Sequence, residues 1–283
     1  IVAKLMSVYI EGFRNIPILL WIVMIFALLT EFTPAPKAFR GANPEASMIL
    51  FESTAVTNRG TYFPNPVWGD GSIYLIIVFL ISLIAIFFFR RYARSLQEET
   101  GQNLPKFWIS LSLLLIPSIL FYFMLGSPVS LEYPYLKGFN FKDGIYVRNS
   151  FIALTLALSL YTAAFIAEIV RSGILAISKG QTEAASSLGL RPGRIMNLII
   201  LPQALRVIVP PMISNYLNLT KNSSLAIAVG YMDVRGTLGG ITLNQTGREL
   251  ESMLLLMGFY LCVSLLVSAV INYFNRSFQI KGL

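Results

Sequence analysis

The residue types that do covalent or metal chemistry are scarce in this chain. Histidine is absent and Cys262 is the single cysteine, which excludes a Ser/His/Asp triad, a Cys/His zinc site and an internal disulfide. The dipeptide Gly-Lys does not occur, so the chain has no phosphate-binding loop of the GxxxxGKS/T type and is not itself a P-loop ATPase. We predict no catalytic residue, no metal site and no cofactor bound by this chain.

Polar residues in the apolar segment 207–232 could bind a solute instead. Lys221 is the one charged residue of this segment, and because a charge at membrane depth costs about 3 kcal/mol, it usually faces a polar cavity. Nearby amides and hydroxyls could replace the water that a polar solute loses; they belong to Asn218, Asn222, Ser223 and Ser224. In the alternatives, Lys221 snorkels or pairs with a carboxylate, and the other residues only join helices.

The segment 149–167 differs from the other apolar segments because it combines hydroxyl groups, including that of Thr162, with several alanines. Small and hydroxylated residues allow helices to approach closely or line a polar route. We place this segment in the functional core and Thr162 on the same path as Lys221. Simple helix packing is the alternative.

The elements that must position these residues are membrane-spanning helices. The chain is 55% hydrophobic and 13% charged, with a mean hydropathy of +0.67, about half the charge of a soluble domain. Since a helix of about 20 residues crosses the hydrocarbon, we predict an all-α polytopic membrane protein with about six spans. The spans are residues 15–30, 71–89, 107–125, 149–167, 207–232 and 252–275.

The loops differ in charge between the two sides of the membrane. The segments 1–14, 90–106, 168–206 and 276–283 together hold 13 basic and 5 acidic residues, whereas the other loops hold 8 and 9. Basic loops stay in the cytoplasm, so we predict that both ends of the chain, including the C-terminus, are cytoplasmic. The net charge of +8 therefore reflects the orientation of the chain in the lipid membrane. We expect membrane lipid and no nucleic acid as its partner.

The cytoplasmic segment 178–202 predicts a helical hairpin. Ser178 and Gln181 fit a capping box at the start of a helix, Gly189 can close that helix in a left-handed conformation, and Pro192 suits the first turn of the next helix. Ala184 and Ala185 are small enough to fit a groove of a partner. The alternative is an ordinary interfacial helix.

The same segment resembles a known motif. Glu183, Ala184, Ala185, Gly189 and the run Ile199 to Pro202 are similar to the EAA loop of bacterial ABC importer permeases, EAA-x3-G-x9-I-x-LP. Segments 9–20, 158–174, 201–211 and 219–231 resemble the polar amino-acid permeases of the histidine/glutamine/arginine type. The added pair of spans at 71–125 and NRGTYFP at 58–64 resemble the general L-amino-acid branch.

This resemblance implies a type I ABC importer permease fold, a single permease domain over 1–283 with an N-terminal part missing, and a coupling loop at 178–202. It implies an ATP-driven importer of L-amino acids in the bacterial inner membrane, with Glu183, Ala184, Ala185 and Gly189 contacting a cytoplasmic ATPase dimer that carries ATP and Mg. A second permease subunit in a heterodimer and a periplasmic amino-acid-binding protein are the other implied partners. Lys221 could then meet the substrate carboxylate.

Two departures from the family pattern bear on substrate range. Relatives commonly have a glutamine at the position of Trp21, and Lys-Asp-Thr-Ser where this chain has Lys221, Asn222, Ser223 and Ser224. Loss of an acid beside the path disfavours cationic substrates, so we expect a broad or neutral-to-acidic preference. A passive channel or a secondary transporter for small polar solutes is the alternative, and an intramembrane enzyme is disfavoured because Lys221 is the only ionisable residue in a span.

Overall fold

A computed structural model describes residues 1–41 and 44–278. The chain forms two compact units, one from residues 1–35, 57–60 and 147 onward, the other from residues 36–56 and 61–146. The C-terminal end, which the charge pattern predicts to be cytoplasmic, lies outside the described residues.

Helices make up most of the first unit, and two long helices lie in the second. The helices are α1 (Val2–Asn15), α2 (Ile18–Glu31), α3 (Ser72–Thr100), α4 (Lys106–Met124), α5 (Asn149–Leu175), α6 (Lys179–Ser187), α7 (Pro192–Ile195), α8 (Leu201–Asn222), α9 (Val234–Gly236), α10 (Leu243–Thr246) and α11 (Glu249–Phe278). Short 3₁₀ segments occupy Pro36–Phe39 and Ser223–Val229, and π turns occupy Met196–Ile200 and Thr237–Thr242.

Five helical segments of the described residues are long and apolar enough to cross a membrane, and the pair α1 and α2 makes a sixth if its two helices form one bent span. This confirms the prediction of about six spans. The predicted first span, residues 15–30, corresponds to α2 and the break before it, and residues 2–15 form a separate helix. The two helices bend by 107° where Ile16 is extended before Pro17, since a residue preceding proline disfavours the α conformation.

The core of the first unit surrounds α5. This helix packs against α1, α2 and α8, and its alanines 153, 157 and 164 are fully buried. Small side chains allow such close approach of neighbouring helices. Segment 149–167 therefore lies in the packed core of this unit, and its place in a functional core stays a prediction.

The fifth span is longer than predicted. It runs from Pro192 to Val229, and α8 continues as a helix through Pro210 and Pro211. Proline removes one N–H but its fixed φ is helical. The helix changes type instead at Ser223 and ends at Gly230, whose φ is +67°.

In the second unit, α3 and α4 pack against each other. Helix α3 extends to Thr100 rather than residue 89 and ends at Gly101 with φ +71°. Short strands lie in the Pro-rich segment 31–70 and in the segment 126–148 between α4 and α5. The strands are β1 (Ala55–Thr57), β2 (Gly60–Phe63), β3 (Asn65–Trp68), β4 (Val129–Glu132), β5 (Tyr135–Lys137), β6 (Asn140–Lys142) and β7 (Ile145–Val147). They pair in the orders β1-β2-β7, β3-β4 and β5-β6.

Candidate functional site

The hairpin between α5 and α8 has a defined local structure. Gly189 has φ +75°, and the amides of Gly189 and Leu190 donate to the carbonyls of Ser186 (2.9 Å) and Ala185 (3.3 Å). These two bonds form a Schellman motif, which satisfies the last carbonyls of α6. The predicted left-handed conformation of Gly189 is confirmed, and Pro192 occupies the first turn of α7 as predicted.

The start of α6 differs from the prediction. Ser178 is the N-cap residue, but its side chain makes no capping hydrogen bond, so the predicted capping box is wrong. The side chain of Gln181 is instead contacted by Gln203 of α8, whose Nε2 lies 3.4 Å from its Oε1. Gln181 therefore ties α6 to the beginning of the next span.

The alanine pair of the hairpin faces two different environments. Glu183 and Ala184 are exposed, whereas Ala185 is only 3% exposed. Helix α6 packs against α7 and the π turn after it, where Ile195 is also buried. Ala185 is thus enclosed by its own chain, and its contact with a partner ATPase stays a prediction. Glu183 forms no ion pair within the described part of the chain.

A polar cleft of about 260 Å³ lies between α5 and α8. Its lining residues come from one face of each helix; they are Tyr161, Thr162, Phe165, Asn215, Asn218, Leu219 and Asn222. Three residues of the predicted path, Thr162, Asn218 and Asn222, thus come together here. Within the described residues their side chains have no hydrogen-bond partner, so their amides and hydroxyl are available to a solute.

The cleft also contains residues that the sequence analysis missed. Asn215 lies one helical turn before Asn218, and its Nδ2 donates to Pro211 O at 3.1 Å. Residues 215, 218 and 222 share one face of a helix, because positions three and four apart are neighbours. That spacing of asparagines was a usable signal, whereas nothing in the sequence indicated Phe165 as their partner.

The other three residues of the predicted path do not line this cleft. Lys221 is exposed on α8, about 100° around the helix from Asn222. The hydroxyls of Ser223 and Ser224 donate to the carbonyls of Thr220 and Lys221, both at 2.7 Å. These serine hydroxyls therefore bond to their own backbone at the point where α8 tightens into a 3₁₀ turn.

An ion-pair cluster lies near the C-terminal end of α5. The Nε and Nη2 of Arg171 donate to the two carboxylate oxygens of Glu168, three residues earlier, at 2.9 and 2.5 Å. Arg14 of α1 lies 3.9 Å from the same carboxylate and 5.6 Å from the ring centre of Phe165. Tyr9 of α1 donates to Leu160 O at 2.6 Å. These contacts attach α1 to the helix that lines the polar cleft.

The described residues contain no group of three acidic, cysteine or histidine side chains that could bind a metal ion.

Residues 99–280 match the family described as binding-protein-dependent transport system inner membrane component. The chain belongs to this family. Together with its apolar spans, this membership identifies the chain as the inner-membrane permease component of an ABC transporter, with a mostly helical type I permease fold.

Three relatives extend the comparison over nearly the whole permease chain. A glutamate/glutamine/aspartate/asparagine transport system permease protein of Rhodobacter capsulatus is 52% identical over 99% of this chain and 71% of its own length. A general L-amino acid transport system permease protein of Rhizobium johnstonii is 42% identical over 97% of this chain and 66% of its own. A putative amino-acid ABC transporter permease protein of Escherichia coli is 41% identical over 98% of this chain and 68% of its own.

A solved structure described as an amino acid ABC transporter with histidines aligns with 98% of this chain and 96% of its own chain. Its sequence identity is 21% and its TM-score 0.41.

Proposed function

We propose that this chain is the permease of an ATP-driven importer that moves L-amino acids, over a broad range, across the bacterial inner membrane. The named substrates of the three relatives are all amino acids. The observation that carries the proposal is the exposed pair Glu183 and Ala184 on a hairpin that joins α5 and α8, the two helices that line the polar cleft.

In this proposal the segment 178–202 is the coupling loop, and its exposed face binds one subunit of a separate cytoplasmic ATPase dimer, which carries ATP and Mg. Closure of the ATPases moves α6. Because Gln181 contacts Gln203 and α6 packs against α7 and the following π turn, this movement passes to the start of α8. The polar cleft between α5 and α8 then alternates between outward-open and inward-open states.

The substrate path in this proposal includes Thr162, Asn218 and Asn222, whose free polar groups compensate the water lost by a zwitterion. Lys221, Ser223 and Ser224 extend this path beyond the residues that line the cleft. Since Lys221 is exposed in the single chain, and a charge at membrane depth needs a polar cavity, we place its ammonium group on a path shared with a second permease subunit in a heterodimer. A periplasmic binding protein delivers the amino acid.

The coupling role is tested with Glu183→Lys in the complete transporter. We expect normal membrane insertion but loss of copurifying ATPase and of ATP-dependent uptake, because the reversed charge lies on the exposed docking face. The matched control is Glu132→Lys, the same charge change on the exposed strand β4, which leaves both measurements unchanged. Normal uptake by Glu183→Lys would overturn the coupling role.

The substrate path is tested with Asn218→Leu and Lys221→Met in proteoliposomes. We expect lower uptake by both variants with an intact complex, while Asn103→Leu, in the exposed segment between α3 and α4, transports normally. Competition by each of the twenty amino acids then defines the range. Unchanged uptake and range for a variant would remove that residue from the path. Uptake that persists without the ATPase would favour the passive channel.

A further inference from the structure

A second polar site lies in the other unit, at the end of α3. This helix contains an 18-residue stretch with a mean hydropathy of 2.9 and then continues with three arginines at residues 90, 91 and 94. They line a cleft of about 660 Å³ together with Phe87, Ser95 and Glu98. We call this site the basic cleft.

The arginines of the basic cleft are not neutralised by the chain. Among the described residues, neither Arg91 nor Arg94 forms an ion pair, and Arg90 contacts only the hydroxyl of Ser110 on α4, from Nε at 3.4 Å. Glu98 is the single acidic residue in the lining. The cleft therefore carries a net charge near +2, on guanidinium groups that bind phosphate through two parallel hydrogen bonds.

The surroundings of the basic cleft are those of a membrane interface. Phe87, Phe88, Tyr92 and Trp108 expose between 62% and 66% of their surface, and aromatic rings concentrate at the level of lipid headgroups. Earlier in α3, before the arginines, apolar side chains are exposed, including Ile81 at 58% and Ile84 at 56%. An anion bound at the arginines thus has a wide apolar surface beside it.

We propose that the basic cleft binds the phosphate headgroup of an anionic phospholipid, whose acyl chains lie along the exposed apolar face of α3. Inorganic phosphate would satisfy the arginines but would leave the aromatic and aliphatic surface uncovered. A zwitterionic lipid would cover that surface but brings no net charge to offset that of the cleft. Only an anionic lipid matches both the positive charge of the cleft and the apolar surface beside it. In this proposal the helix pair 71–125 anchors such a lipid.

The probe is dioctanoyl-phosphatidylglycerol, titrated into the delipidated complete transporter in an uncharged detergent, with bound lipid counted by native mass spectrometry. Inorganic phosphate and dioctanoyl-phosphatidylcholine are the other arms. We expect saturable binding of phosphatidylglycerol that is competed weakly by phosphate. Equal competition by phosphate would assign the cleft to a free anion, and equal binding of phosphatidylcholine would remove headgroup recognition. Either result overturns the proposal.

Two variants place the binding at the arginines. Arg91→Gln with Arg94→Gln should weaken binding about 30-fold, since each basic residue near the surface contributes roughly 1 kcal/mol. Arg91→Lys with Arg94→Lys keeps the charge that orients the helix, and should weaken binding about threefold through loss of the planar fork. The control, Lys137→Gln with Lys142→Gln, removes two exposed charges elsewhere. Unchanged affinity in either arginine variant overturns the proposal.

Discussion

Gly173 of α5 lies directly against Ile208 of α8, with no room for a side chain between them. A Cβ at residue 173 would overlap Cγ1 of Ile208 and lie 3.5 Å from the carbonyl oxygen of Ala204. Both Gly173 and Ile208 are buried. The two helices that flank the hairpin therefore make their close approach shortly before the chain enters α6.

This contact predicts a specific compensation. Gly173→Ala should lower the free energy of unfolding by about 1–3 kcal/mol, because the branched side chain of Ile208 cannot move away without strain. Ile208→Ala alone should cost about 2–5 kcal/mol through the cavity it leaves. The double variant should be less destabilised than the sum, by about 1 kcal/mol or more. Unfolding of the detergent-solubilised protein measures this, and additive losses would contradict the contact.

Gly189 predicts an effect on coupling. Replacement by alanine at φ +75° should cost roughly 1–2 kcal/mol of left-handed strain, which loosens the Schellman turn and the position of Glu183. We expect less ATPase to copurify and slower uptake. Gly258→Ala is the control, because Gly258 lies within α11 with open space around its Cβ. Equal behaviour of the two variants would count against a rigid hairpin.

Asn149 predicts an effect on stability at the opposite end of α5. It is 3% exposed, and its Nδ2 donates to the carbonyls of Thr57 at 3.1 Å and Leu29 at 3.4 Å. Asn149→Ala leaves the buried Thr57 carbonyl without this donor, so we expect a loss of about 1–3 kcal/mol. Thermal unfolding should show a lower midpoint than for Asn103→Ala, an exposed control. A midpoint equal to the control would contradict this role.

Tyr9 predicts an effect on local opening. Tyr9→Phe removes the hydrogen bond to Leu160 O, worth about 1 kcal/mol, so amide hydrogens of α1 should exchange about fivefold faster. Hydrogen exchange by mass spectrometry measures this. The control is Tyr133→Phe, whose hydroxyl has no hydrogen bond within the described residues. Unaltered exchange in α1 would mean that other contacts fix this helix.

Much of the fold was predictable because its causes are local. An apolar stretch of sufficient length indicates a span wherever it occurs, so the spans around α3, α4, α5, α8 and α11 follow from composition. Local backbone preferences likewise predict that Gly189 closes α6 and that Pro192 begins α7. The first span was harder to predict, because amphipathic α1 lacks the uniform hydrophobicity of a crossing helix.

The candidate site was likewise predictable only in part. The sequence by itself determined that the chain spans a membrane, has neither histidine nor a Gly-Lys phosphate-binding loop, and carries an EAA-like hairpin and a cluster of polar residues on its fifth span. Only the tertiary structure decided that Asn218 and Asn222 face Thr162 while Lys221 does not, and that Ala185 is buried beside the exposed Ala184. The physical reason is that facing depends on how each helix is rotated against its neighbours, and that rotation is set by contacts between residues distant in sequence, such as Gly173 with Ile208.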